Sequence, residues 1–210
     1  MTHSIKQREH GFTIIELLIA TTVFSVILLL ITLGILHIGK SYYQASNQSR
    51  TQQVTRNILD EVSQAIQFSG SSSVVTGLSN GSVGGVCING MMYDYHLYVK
   101  LDPSVAANSM MFQAYPVVNC SAPGALIDFA AHPGAIPSSR ELLTQNMRLL
   151  NFTVTPMGSS IYTITLTVAS GNDNLFTPTS PVVANSKCAV LNIQFCAIST
   201  LTTTVVQRLQ

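Results

Sequence analysis

From Leu17 to Leu36 the chain runs for 20 residues without a charge, LLIATTVFSVILLLITLGIL. As an α-helix rising about 1.5 Å per residue, this run covers ~30 Å, the hydrocarbon thickness of a bilayer. No second run among the 210 residues has comparable length, so the sequence predicts one membrane crossing. A short polar leader precedes it, Met1 to Gly11, carrying His3, Lys6, Arg8 and His10. A secretory signal peptide has an apolar core of only about 7–15 residues followed by a small-residue cleavage site. Here the core is too long, and Gly39-Lys40-Ser41-Tyr42-Tyr43 is a poor cleavage site.

An ordinary signal anchor fits the length but leaves Glu16 to be explained. That carboxylate lies inside the apolar stretch Phe12 to Leu36. A charge within a membrane helix costs on the order of 2–3 kcal/mol even on lenient insertion scales. The bland account is a side chain that snorkels at the interface. The sharper one reads it with its neighbours, Gly11-Phe12-Thr13-Ile14-Ile15-Glu16-Leu17-Leu18-Ile19-Ala20. This segment resembles the class III signal of type IV pilins and pseudopilins. It has a short basic leader ending in Gly, then Phe, then Glu fifth counting from Phe12, then an apolar tail.

The resemblance covers residues 6–36 and implies a definite history. A membrane prepilin peptidase would cut between Gly11 and Phe12, and the new amino group of Phe12 would be methylated. Glu16 would act in filament assembly, and the partners implied are other pilin or pseudopilin subunits and an inner-membrane assembly platform. Lys6 and Arg8 before the span are offset by Glu9 and matched by Lys40, Arg50 and Arg56 after it, so positive-inside counting gives no orientation. The resemblance alone places the leader in the cytoplasm and makes the chain a single-pass inner-membrane protein before it joins an extracytoplasmic filament. Many major pilins carry a Pro, and often a Gly, where this chain has Leu33 and Ser25. That departure speaks against a major pilin, while the 199-residue length after Gly11, the long αβ region and the stretch Arg56 to Ile66 resemble the larger minor pilins and the J-type pseudopilin of type II secretion.

Beyond the span, Lys40 to Phe68 contains neither Pro nor Gly. Val54, Ile58, Val62 and Ile66 recur every four residues with Leu59 and Ala65 beside them, an apolar helix stripe. Arg56 stands one turn before Asp60, a spacing that favours an ion pair. One helix is therefore expected from Phe12 to about Phe68, ended by Ser69-Gly70-Ser71-Ser72-Ser73. Residues 70–86 are rich in Gly and Ser, with Asn80-Gly81 as a turn signal.

Strand patterns follow at Met92–Lys100 and Met110–Val118, the latter limited by Pro116. Residues 121–140, with Pro123, Pro133 and Pro137, read as a long loop. Leu149–Thr155 and Ile161–Ala169 flank a Pro-Met-Gly-Ser-Ser turn and predict a hairpin, and Ala197–Val206 predicts a last strand. The expected class is α+β: a long N-terminal helix, membrane-spanning in its first half and amphipathic in its second, packed on an antiparallel sheet of four or more strands. The expected division is a leader at 1–11, the long helix at 12–69 with its span at 17–36, and an extracytoplasmic β-rich head at 70–210.

Only 9% of residues are charged, and Lys+Arg (10) and Asp+Glu (9) nearly cancel. That balance excludes a highly charged disordered chain and a basic nucleic-acid binder. Nucleic acid would be a partner only in a DNA-uptake pilus. There is no phosphate-binding Gly-rich loop and no Cys-x-x-Cys pair. Cys87, Cys120, Cys188 and Cys196 all follow the span, an even count that reads as two disulfides in an exported domain. Of three pairings, Cys188–Cys196 closes a short loop and Cys87–Cys120 ties the Gly-rich segment to the end of the second strand, so these are favoured. A zinc site is the alternative, but spacings of 33, 68 and 8 residues match no zinc pattern. The five His are scattered, and Asp94 and Asp102 lack the dense acidic loop that calcium needs. No catalytic arrangement can be argued from spacing, and no cofactor is implied.

Overall fold

A computed structural model of the chain describes residues 12–70, 74–117, 120, 138–158, 160–178 and 181–208. Residues 1–11, expected from sequence to be a leader, lie outside the described residues, as do Ser71-Ser72-Ser73 and the proline-rich stretch 121–137. A single helix, α1, spans Ile14–Gln67. The chain divides into two compact units, Met1–Tyr42 and Tyr43–Gln210, with the break inside α1.

In the first unit the apolar run is helical, and its side chains are exposed throughout. Its four hydroxyls are all turned back on the helix. Thr21 donates to the Leu18 carbonyl at 3.0 Å, Thr22 to Ile19 at 2.8 Å, Ser25 to Thr21 at 2.8 Å and Thr32 to Leu28 at 2.8 Å. Each hydroxyl is thereby paired with a carbonyl of its own helix, so none is left unpaired on the apolar surface.

In the second unit the C-terminal part of α1 buries Thr51, Thr55, Ile58, Leu59, Val62 and Ile66. The apolar stripe thus continues N-terminally through two threonines. Their hydroxyls are satisfied by the carbonyls four residues back, at 2.8 Å for Thr51 and 2.7 Å for Thr55. Each buried Ile, Leu or Val stabilises the packed state by about 1.5–3 kcal/mol relative to its exposed form. The end of α1 is closed by the C-terminal chain. The Arg208 N–H donates to the Gln67 carbonyl at 3.1 Å, and the Gln207 amide donates to the Ser69 and Gly70 carbonyls at 3.1 and 2.7 Å. These contacts satisfy backbone groups that a helix end leaves without partners. The ion pair expected between Arg56 and Asp60 is absent among the described residues; Glu61 pairs instead with Arg140, on a strand beside the helix.

The strands form an antiparallel sheet of five, in line with the four or more expected, together with a second sheet of three and a two-stranded ribbon. β1 (Val74–Asn80), β2 (Val83–Ile88), β3 (Met91–His96), β4 (Phe112–Pro116) and β5 (Arg140–Glu141) form an antiparallel meander. β6 (Met147–Pro156) and β7 (Ile161–Ser170) form the expected hairpin, and β10 (Ala197–Val206) pairs with β7 to give the order β10-β7-β6. β8 (Phe176–Thr177) and β9 (Lys187–Cys188) make the ribbon. The split occurs just after β3. Leu97 makes an isolated parallel bridge to Leu149, the Tyr98 N–H donates to the Leu149 carbonyl at 2.8 Å, and Tyr98 has a positive φ of 71°. A left-handed residue redirects the chain, so what begins as the third strand of one sheet ends against the first strand of the other.

β1 and β2 lie in the segment read from sequence as a Gly/Ser-rich turn region. Asn80-Gly81 is indeed a turn: Asn80 pairs with Val83, and Gly81 has φ +64°. What the composition hid is that Gly84 and Gly85 are strand residues, paired with Tyr95 and Asp94. A Cβ at Gly84 would strike the Tyr95 ring, and one at Gly85 would strike the Asp94 carboxylate. Tyr95 in turn meets Phe112 and Phe152 edge-on, with ring centroids 6.2 and 5.5 Å apart. The core formed by Ile58, Val62, Tyr95, Phe112, Leu149, Phe152 and Leu166 thus draws on α1 and both sheets.

Candidate functional site

The N-terminal segment that carries the sequence signal begins with Phe12, which lies ahead of α1 with an exposed ring. Thr13 is the residue before the first helical one and caps the helix. Its backbone N–H donates to the Glu16 carboxylate at 2.9 Å, and its hydroxyl donates to the same oxygen at 2.8 Å. The Glu16 N–H lies 3.3 Å from the Thr13 hydroxyl. This is a capping box: a Thr and the Glu three residues on satisfy each other's backbone donors at a helix start. The sequence reading singled out Glu16 and passed over Thr13, although Thr-Ile-Ile-Glu is the sequence signature of that box.

The geometry allows Glu16 two uses. As a cap it anchors the helix start, and its negative charge suits the positive end of the helix dipole. As a carboxylate at the head of an apolar run, it presents a charge that an amino group in the same apolar surroundings would neutralise.

The four cysteines join as two bridges. Cys87 is bonded to Cys120 and Cys188 to Cys196, with Cα atoms 5.6 and 5.7 Å apart. Cys87 lies on β2, and the bridge ties that strand to the chain beyond β4, next to Met92 and Tyr115. Cys188 ends β9 and Cys196 precedes β10, so the second bridge closes the 3-10 turn Val190–Phe195.

Titratable groups elsewhere are occupied by the fold. Asp94 is buried and accepts the Tyr115 hydroxyl at 2.6 Å, while burial and that carboxylate push the Tyr115 pKa up. Asp102 accepts both the N–H and the hydroxyl of Ser104, which lowers its pKa. Glu141 accepts the N–H groups of Met111, Phe112 and Leu143, yet burial wins and raises its pKa to about 7. Arg148 is only 1% exposed and was not foreseen from sequence. Its guanidinium donates to the Tyr98 and Gly171 carbonyls at 3.3 and 2.9 Å, pairs with Asp173, and lies 4.8 Å over the Phe176 ring. No group of three or more His, Cys, Asp or Glu able to hold a metal occurs among the described residues. A shallow hollow lined by Asn47, Arg50, Asn146, Asn172, Asn174 and Phe195 carries amides, one guanidinium and one ring.

Residues 6–32 match the family model described as the prokaryotic N-terminal methylation motif. The match begins ahead of Gly11, includes Phe12, the Thr13–Glu16 cap and most of the apolar run, and stops short of the β-rich unit. No curated protein and no solved structure matches the chain.

Proposed function

Because the chain carries the prepilin-type methylation signal of type IV pilins and pseudopilins, we propose that it is a minor structural subunit of a type IV pilus or a related filament. The observation that carries this reading is the methylation motif at 6–32 running directly into a helix long and apolar enough to cross a membrane. Prepilin peptidase cleaves between Gly11 and Phe12 and the amino group of Phe12 is methylated. The helix is held in the inner membrane until assembly machinery draws it into the filament, and the disulfide-bonded head lies outside the cytoplasm. The work of such a subunit is packing rather than catalysis.

Glu16 supplies the polar element of that packing. In a surrounding without water, its carboxylate gains from the methylated amino group of Phe12 on an adjoining subunit. Apolar helices alone can slide past one another; a paired charge fixes the axial register. Truncating one partner of a buried pair costs ~3–5 kcal/mol, enough to prevent incorporation.

Mass spectrometry of the membrane-extracted protein tests the reading. The expected product begins at N-methylated Phe12. An intact Met1 terminus in cells that hold the peptidase overturns it. Co-purification then separates the filament types: pilus components support the proposal, whereas a secretin with secreted hydrolases makes the chain a type II secretion pseudopilin.

A further inference from the structure

The 3-10 turn Val190–Phe195 carries its apolar side chains outward. Val190 is 87% exposed and Leu191 is 91% exposed, and Ile193 and Phe195 are exposed as well. The turn is nonetheless held firmly. The Cys188–Cys196 bridge closes its base, and the Ala189 N–H donates to the Leu175 carbonyl at 2.7 Å. The Asn47 amide donates to the Gln194 carbonyl at 2.8 Å, and the Phe195 ring lies 6.4 Å from that of Tyr43. Lys187, exposed, stands just before the bridge. A fixed knob with two aliphatic residues at its tip, an aromatic pair at its flank and a lysine beside it has the composition of segments that settle at a bilayer interface.

Covalent connection determines what this knob can reach. Tyr43, its aromatic neighbour, follows Leu36, the last residue of the apolar run, by seven positions. Seven residues span at most ~25 Å even when fully extended. The knob is therefore tethered close to any bilayer that holds the run. We infer that Val190–Phe195 is a membrane-interface foot, with Val190 and Leu191 entering the boundary between headgroups and acyl chains and Lys187 facing anionic lipid. The inference rests on the membrane anchoring proposed above. A second protein copy is the less fitting occupant. One convex turn offers few residues, against roughly 20–30 a side in a stable protein interface, whereas a lipid surface accepts a small convex wedge.

The chain contains no Trp, so a single introduced Trp is a unique emitter. Leu191→Trp replaces a side chain that is already in solvent. Met157→Trp, in the turn between β6 and β7, is the control. Met157 is exposed and lies at the Ile161–Val206 end of the sheet, ten paired residues from the Ala197–Ser170 end and so ~30 Å away. Each full-length variant is reconstituted into vesicles of phosphatidylethanolamine and phosphatidylglycerol, with and without brominated acyl chains.

The expected result is blue-shifted Leu191→Trp emission, quenched at least twofold by the brominated lipid, with Met157→Trp unchanged. Leu191→Trp emission that stays water-like overturns the foot. So does emission that is blue-shifted but indifferent to bromine, because protein rather than lipid then covers the residue. Flotation of the same samples reports on the anchor by itself. Protein that fails to float overturns the anchoring reading, and with it the foot; protein that floats with unquenched Leu191→Trp overturns the foot alone.

Discussion

The Glu16 carboxylate closes back on Thr13, taking both its N–H and its hydroxyl on one oxygen at 2.9 and 2.8 Å. The carboxylate at the head of the apolar run therefore also belongs to the third helical residue, the one that completes the capping box. Two substitutions pull these uses apart. Thr13→Ala removes the cap, at about 1 kcal/mol of local helix stability, and leaves the carboxylate in place. Glu16→Gln keeps a capping side chain but removes the charge. Glu16→Gln is expected to be inserted and cleaved yet lost from the filament, whereas Thr13→Ala is incorporated. Co-purification with filament partners measures this. Equal defects in the two variants would mean that Glu16 acts only by starting the helix.

Glu141 makes the head sensitive to pH. Its carboxyl is raised from about 4.5 to about 7 by burial, so between those values the folded state holds a proton that the unfolded chain has released. Stability falls as pH rises wherever the folded state binds more protons. This contribution is fully present below about pH 4.5, declines up to about pH 7, and amounts to on the order of 2–3 kcal/mol. Thermal unfolding of the full chain at pH 5 and pH 8 should show the higher midpoint at pH 5. Glu141→Gln should reduce the difference; an unchanged difference assigns it to another group.

Gly84 should tolerate no side chain. Its Cβ position is occupied by the Tyr95 ring, itself wedged against Phe112 and Phe152. Gly84→Ala is expected to cost about 1–3 kcal/mol by overpacking. The paired variant Gly84→Ala with Tyr95→Leu should recover part of that loss. Denaturant midpoints check both, and a neutral Gly84→Ala would show that Tyr95 moves aside freely.

Arg148 and Asp173 form a pair in which one member is buried and the other is mostly in water. Asp173→Ala leaves a buried guanidinium with two carbonyl acceptors, so a loss of about 1–2 kcal/mol is expected. Arg148→Ala also removes the packing over Phe176 and should cost at least ~3 kcal/mol. If Asp173→Ala is the more damaging substitution, the account of the pair is reversed.

The sequence by itself determined much of what depends on neighbours along the chain, although the Thr13–Glu16 cap went unread and the Arg56–Asp60 pair it suggested does not form among the described residues. An unbroken apolar run needs no tertiary partner to form a helix long and apolar enough to cross a membrane, and the Gly-Phe-x-x-x-Glu spacing is read along the chain. The same holds for the hairpin of β6 and β7, legible from the period-two pattern of Ile161 to Val168 and the Pro-Met-Gly-Ser-Ser turn before it, and for the stripe from Ile58 to Ile66. The turn at Asn80-Gly81 was equally local.

Tertiary structure decided what depends on residues far apart. β1 and β2 were not legible because Gly84 and Gly85 weaken a strand pattern, and their reason for being glycine is Tyr95 and Asp94 on the next strand. The division into two sheets turns on Tyr98, a residue whose left-handed backbone no composition suggests. Arg148 gave no sign of burial, since its acceptors come from residues 98, 171 and 173. Thr51 and Thr55 read as polar until the helix carbonyls took up their hydroxyls and freed their methyl groups for the core. Local hydrogen-bonding and periodicity leave a trace in sequence order; cross-strand fit and buried polar pairing exist only once the chain has brought distant residues together.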